Sequence, residues 1–167
     1  RTEKFARDSV PPEERPTNVL AWAEKHRRIH GHDFTLDRFP PLAELYADPH
    51  KHIVVMKPTQ RGISEWAINY ACFALDEGAR AWAPGQDGLN VAYILPTERV
   101  LGDFSKERCS GLVEENDYMR LLFSGIGAFD AVGFKKARRS YLYLRGAVSE
   151  AGLLTFPADV LILDEFD

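Results

Sequence analysis

The chain has 167 residues, enough for one domain, and at that size roughly 70% of the unfolded surface can be buried in a core. Its 45% hydrophobic and 28% charged content is ordinary for a soluble globular protein, and no apolar run approaches the ~20 residues of a membrane helix. A net charge of −4 excludes a general nucleic-acid coat, which needs concentrated positive charge, but not a local basic site.

Residues 1–16 are polar, with Pro11, Pro12 and Pro16, and read as an extended arm. Thr17 or Asn18 is placed to cap a helix through VLAWAEKHRRI, which Gly31 is expected to end. A loop carries Pro40 and Pro41, and a short helix around LAELYA stops at Asp48–Pro49. HIVVM, 52–56, is a short apolar run rich in β-branched residues, which predicts a strand buried on both faces. A helix over 64–77 is apolar nearly all round and should be buried. Gly78, Pro84, Gly85 and Gly88 mark 78–89 as a loop. NVAYIL, 90–95, is a second buried strand, followed by helical patterns through 97–123. VGFKKA and SYLYLRG alternate with period two and predict a hairpin around 137–139. DVLILDE is a last apolar strand ending in acids. Alternating buried strands and helices define an α/β domain with a mostly parallel sheet, spanning 17–167.

No signal peptide is visible. The chain opens at Arg1 without a start methionine, which points to an upstream piece. Cys72 and Cys109 make no disulfide framework, and a reducing, cytosolic compartment is expected, with Cys72 a buried thiol.

The chemistry concentrates in two places. KPTQRGIS, 57–64, directly follows the predicted strand 52–56 and departs from the phosphate-loop pattern G-x-x-x-x-G-K-[S/T]. Gly62 stands at the second glycine and Ser64 at the hydroxyl position. Ile63 fills the lysine slot and Lys57 the first glycine slot. A phosphate loop needs a glycine turn after a buried strand, a helix start that turns free N–H groups to the phosphates, and a first-turn hydroxyl for Mg²⁺. The stretch meets all three. Because such a loop wraps the β-phosphate, Lys57 can reach inward from the front. Arg61 is a cation for the γ-phosphate, and Gln60 can orient phosphate or water. Lys57, Pro58, Thr59, Gln60, Arg61, Gly62, Ile63 and Ser64 thus form the candidate ATP loop. The competing explanation is an ordinary strand–turn–helix corner with surface cations.

VLILDEFD, 160–167, is the second signal. Four apolar residues followed by Asp-Glu match the Walker B pattern, with Asp164 as anchor for Mg²⁺ and Glu165 as base for the attacking water. An edge strand leading into an acidic turn would read the same. Two such motifs about a hundred residues apart support each other. Other residues are more ambiguous. Lys135, Lys136, Arg138 and Arg139 fit either a phosphate-contacting cluster or a solvated hairpin tip. Arg145 suits an arginine finger, a sensor or a structural ion pair. His26, His30 and His32 lack acidic or cysteine partners at ligand spacing and are expected to be solvent-exposed. Trp22 and the FPP segment suit either an adenine pocket or the core.

The order of motifs resembles the ATPase domain of the phage terminase large subunit, most closely the lambda-like branch. The matching stretches are WAEKHR, FPPLAELYADPHKHIVVMKPTQRGISEWAINYA, VAYILPTERVLGDFSKER and YLYLRGAVSEAGLLTFPADVLILDEFD, covering most of 20–167. That branch has a Walker A with its lysine at the front, as Lys57 is here, and an R-G-A-x-S segment before P-A-D and D-E-x-D. The resemblance implies a RecA-like additional-strand P-loop fold and an ATP- and Mg²⁺-dependent motor that packages double-stranded viral DNA into a procapsid. It also implies a homo-oligomeric ring on a portal protein, a small terminase subunit as partner, and the host cytoplasm as location. In that family an RNase H-like nuclease follows. This chain stops at Asp167, so the coupling motif, last strands and nuclease fall outside it. Two departures stand out. Many terminases have an arginine at the loop's fourth position, where this chain has Gln60 with Arg61 next. GLLTFPAD has no arginine, so Arg145 or Arg139 would have to act on a neighbouring subunit. A superfamily 2 helicase or translocase is a rival, disfavoured by the front-placed Lys57. So is a non-hydrolysing scaffold docking to a portal, favoured by Ile63 in the lysine slot and disfavoured by Glu165.

Overall fold

The computed structural model describes residues 11–56, 62–123, 132–148 and 156–165. Its centre is a four-stranded sheet in the order β4-β5-β3-β6, built from β3 (Asn90–Leu95), β4 (Phe134–Ala137), β5 (Ser140–Gly146) and β6 (Val160–Leu163). β3 pairs in parallel with both β5 and β6, and β4 pairs antiparallel with β5. The sheet is therefore mixed and mostly parallel. β3 is buried along nearly its whole length, as its unbroken apolar sequence requires of a central strand. The hairpin β4–β5 turns at Arg138, which adopts a left-handed φ of 57°, within the predicted turn.

The helices are α1 (Val19–His26), α2 (Ala43–Ala47), α3 (Ile63–Phe73), α4 (Ala79–Trp82), α5 (Glu98–Asp103), α6 (Ser110–Glu115) and α7 (Asp117–Leu122). Val91, Tyr93 and Leu95 of β3 and Leu142 and Leu144 of β5 point into one core with Trp22, Ala71, Phe73, Leu101, Met119 and Leu122 from the helices. Asn18 caps α1, its Oδ1 accepting from the Ala21 N–H at 2.9 Å. Thr97 caps α5 through the Val100 N–H. Cys72 and Cys109 are both buried free thiols, and burial pushes them up to about 12 and about 11 respectively.

Four expectations need correction. First, 53–56 is in no strand. Val54 and Met56 are 99% and 95% exposed. A strand requires a neighbour for its N–H and C=O groups, and among the described residues none flanks this run. Second, among the described residues β6 is an edge strand, as in the competing reading, rather than one buried on both faces, with Leu161 and Leu163 exposed. Third, α1 ends at His26. Arg28–Ile29 (β1) and His32–Asp33 (β2) form a small hairpin. His30 and Gly31 both take positive φ, 52° and 77°, so Gly31 serves the hairpin turn and not the helix end. Fourth, Gly78 does not break the helix. Its φ is helical, a π-helical turn over Ala74–Gly78 joins α3 to α4, and a Cβ here would meet Leu89 Cδ1 at 2.9 Å. The glycine allows close packing.

The N-terminal segment is tied down where it is described. Pro12–Glu14 makes a 3₁₀ turn, and Arg15 donates from Nε and Nη2 to the buried Glu77 carboxylate at 2.8–3.0 Å. The adjacent Asp76 accepts from Trp22 Nε1 at 2.9 Å and from the Tyr118 hydroxyl at 2.6 Å. His26 stacks on Tyr118, ring centroids 3.7 Å apart. Burial lowers its pKa to about 4 from the ordinary 6.5, against the opposing pull of Asp76. The unfolded chain therefore binds the extra proton between those two values, and stability falls as pH drops through them. Because the imidazole is only partly buried, the expected loss from pH 7 to pH 5 is about 1 kcal/mol. Denaturant midpoints at the two pH values measure it, and His26→Gln should remove most of the difference.

Candidate active site

Gly62, at the junction before α3, is the helix N-cap in the left-handed conformation, φ 79°. A side chain there would also strike Phe39, Cδ1 lying 2.8 Å from the position of a Cβ. Both facts demand glycine at this position. Ile63 and Ser64 then form the first turn of α3, both half-buried. The next residue, Glu65, is held from two sides. Arg27 Nη2 donates to Oε2 at 2.7 Å and Arg108 Nη1 to Oε1 at 2.8 Å. Arg27 is itself buried and donates from Nε to Asn69 Oδ1. Asn69 Nδ2 in turn donates to the Tyr46 hydroxyl, whose pKa burial raises. The start of α3 is thus anchored to the C-cap of α1, to α2 and to the helical layer. Lys57, Pro58, Thr59, Gln60 and Arg61 lie outside the described residues.

Asp164 follows β6 directly and is buried. Its N–H donates to the Ile94 carbonyl at 3.0 Å, continuing the β3–β6 ladder, and its Oδ2 accepts from the Tyr93 hydroxyl at 2.6 Å. Glu165 is exposed and has a left-handed φ of 62°. For a residue with a Cβ that conformation costs on the order of 1–2 kcal/mol. α3 packs against β6, so the helix carrying Ser64 and the strand delivering Asp164 are neighbours.

Arg145 lies on β5 and is occupied. Nη1 donates to the Gly133 carbonyl at 2.6 Å and the Leu144 carbonyl at 2.8 Å, and the guanidinium lies over the Tyr143 and Phe156 rings. The basic run 135–139 does not form one cluster. Lys135 is buried, Arg138 reaches the buried Asp76 at 3.7 Å, Arg139 pairs with Asp87 at 2.7 Å, and only Lys136 and Arg139 are exposed. The expected solvated tip is therefore partly an inward-facing structural element. Trp22 is fully buried in the core. Phe39 instead lines a cavity of about 130 Å³ with Phe34, Thr35 and the β1–β2 hairpin, and its ring also lies against Gly62. His30 and His32 are exposed as expected, whereas His26 is not. No group of three or more His, Cys, Asp or Glu that could hold a metal ion occurs among the described residues. Nor, among them, is any helix long and apolar enough to cross a membrane.

The partners of these residues were not read from the sequence. One signal was present: a tyrosine within the aliphatic strand NVAYIL must find a partner for its hydroxyl, and the partner is Asp164. Similarly, Glu65, Asn69, Asp76 and Glu77 interrupt an otherwise apolar helix, and each is engaged in a buried or half-buried bond.

These features define an α/β domain on a mixed, mostly parallel sheet, with an anchored carboxylate at the end of its edge strand β6. The family model of the phage terminase large subunit gpA ATPase domain matches residues 37–167, and the chain belongs to that family. It is thus an ATPase domain of the phage DNA-packaging class. No curated protein and no solved structure matches it.

Proposed function

We propose that this domain binds ATP with Mg²⁺ in a deviant P-loop and hydrolyses it to drive double-stranded viral DNA into a procapsid. The observation that carries the reading is the buried Asp164, hydrogen-bonded at both backbone and side chain and followed at once by an exposed glutamate. The donor set suits Mg²⁺. A hard ion takes oxygen ligands, and a carboxylate with a serine hydroxyl would supply them. Asp164 and Ser64 would hold that ion, which would supply neutralisation of phosphate charge. Lys57 and Arg61 draw the phosphates in, and the N–H groups of the loop ending at Gly62 cradle them. Glu165 takes the proton from the attacking water.

Arg145 is the finger or sensor in this scheme only if it leaves Gly133 and Leu144, and Arg139 stands as the other candidate. A ring on a portal protein, a small-subunit partner, a following nuclease domain and the host cytoplasm belong to the same reading. Family membership favours the motor over a helicase. Steady-state ATPase of the full-length protein, wild type beside Lys57→Ala, with and without DNA, tests the scheme. Turnover is expected to fall by one to three decades, on the order of 1–4 kcal/mol. Turnover indifferent to Lys57 but lost in Arg61→Ala would assign the phosphate cation to Arg61. No turnover in the wild type would favour the scaffold.

A further inference from the structure

We infer that Tyr93 is a positioning residue for the metal site, its phenol fixing the orientation in which the Asp164 carboxylate receives the ion. The inference rests on the reading of Asp164 as metal anchor. Tyr93 sits in the middle of β3, 1% exposed, between strands β5 and β6. Its neighbours along the strand are Val91, Ala92, Ile94 and Leu95, all apolar and buried. Phenylalanine would fill this space without burying a polar atom, so packing alone gives no reason for the hydroxyl. The hydroxyl donates to Asp164 Oδ2 at 2.6 Å, the length of a charge-assisted O–H···O⁻ bond.

The ring is held from the side by Phe104, centroids 4.8 Å apart, so the donor has little freedom to swing. With the Asp164 N–H bonded to Ile94, the backbone and one carboxylate oxygen are both anchored to the same strand. Hydrogen-bond partners one step behind a metal ligand set its orientation and basicity, and their loss costs about 10–100-fold in metal affinity or activity.

The test uses the full-length protein with Mn²⁺ as the spectroscopic probe, in wild type, Tyr93→Phe and Asp164→Asn. Free Mn²⁺ is measured by electron paramagnetic resonance with a slowly hydrolysed ATP analogue present. Binding is expressed per folded molecule from metal-free melting curves, so partial unfolding cannot imitate the effect. Tyr93→Phe is expected to weaken Mn²⁺ binding about 10-fold. The Mg²⁺ concentration for half-maximal turnover should rise by a similar factor, with metal-free nucleotide affinity unchanged and kcat largely recovered at saturating Mg²⁺. If Asp164→Asn loses the metal while Tyr93→Phe binds it within about twofold of wild type, the inference is wrong and the phenol is only structural, whatever the melting curve does. If Asp164→Asn itself binds normally, the reading of Asp164 as anchor fails first, and the role of Tyr93 fails with it.

Discussion

Glu165→Gln in the full-length protein is expected to reduce ATP turnover by about 10²–10⁴-fold, the range a positioned general base contributes, while leaving ATP binding intact. Glutamine keeps the length and polarity of the side chain and removes only its basicity. The effect should therefore fall on kcat, with the affinity for a fluorescent ATP analogue unchanged. The local geometry favours this division of labour. Asp164 is buried and bonded to β3, whereas Glu165 is exposed one residue later. The left-handed backbone at Glu165 sets the two carboxylates in different surroundings. Neighbouring carboxylates can hold different roles only when their surroundings differ. Turnover within a few-fold of wild type would remove Glu165 from the base role, and equal losses in binding and turnover would make it a ligand.

How much was legible follows from what each residue pattern encodes. The run 90–95 gave a strand whose bounds match those observed, because Asn90 followed by five buried, mostly aliphatic residues between a turn and a proline has one compact solution. The alternation in SYLYLRG predicted β5 and its hairpin with β4, because a period of two has no helical counterpart. The same reasoning failed for 53–56. An apolar run reports a demand for burial, but the neighbour that meets it is a tertiary property, and Val54 stays 99% exposed. At Gly31 and Gly78 the residue type was informative and its role was not. A glycine marks a turn, a cap or a close contact alike, and only the surrounding backbone decides. Gly62, Ser64, Asp164 and Glu165 stand out as site candidates through spacing, since phosphate and metal chemistry constrain nearby positions in sequence. The partners Tyr93 and Arg27 were missed because they are 71 and 38 residues distant from the groups they hold.

Asp76→Ala is expected to destabilise the fold by roughly 3–5 kcal/mol. Asp76 is 5% exposed, within the π-helical turn that joins α3 to α4. One carboxylate there accepts from Trp22 Nε1 and the Tyr118 hydroxyl and lies 3.7 Å from the Arg138 guanidinium. It connects α1, α7 and the β4–β5 turn. Alanine would remove the shared acceptor and leave two neutral donors and a cation without it. The cost is thus the loss of a shared buried acceptor from three elements at once, rather than of a single bond. Asp76→Asn keeps an acceptor but not the charge, and should cost less than half as much. Denaturant melts of both variants measure the difference. Asp76→Ala within about 1 kcal/mol of wild type would mean that water replaces the carboxylate. The same variant should also lower the His26 pKa further, since Asp76 is the largest of the influences that raise it. The acid-side loss of stability at His26 would then begin from a weaker protein and reach further down in pH.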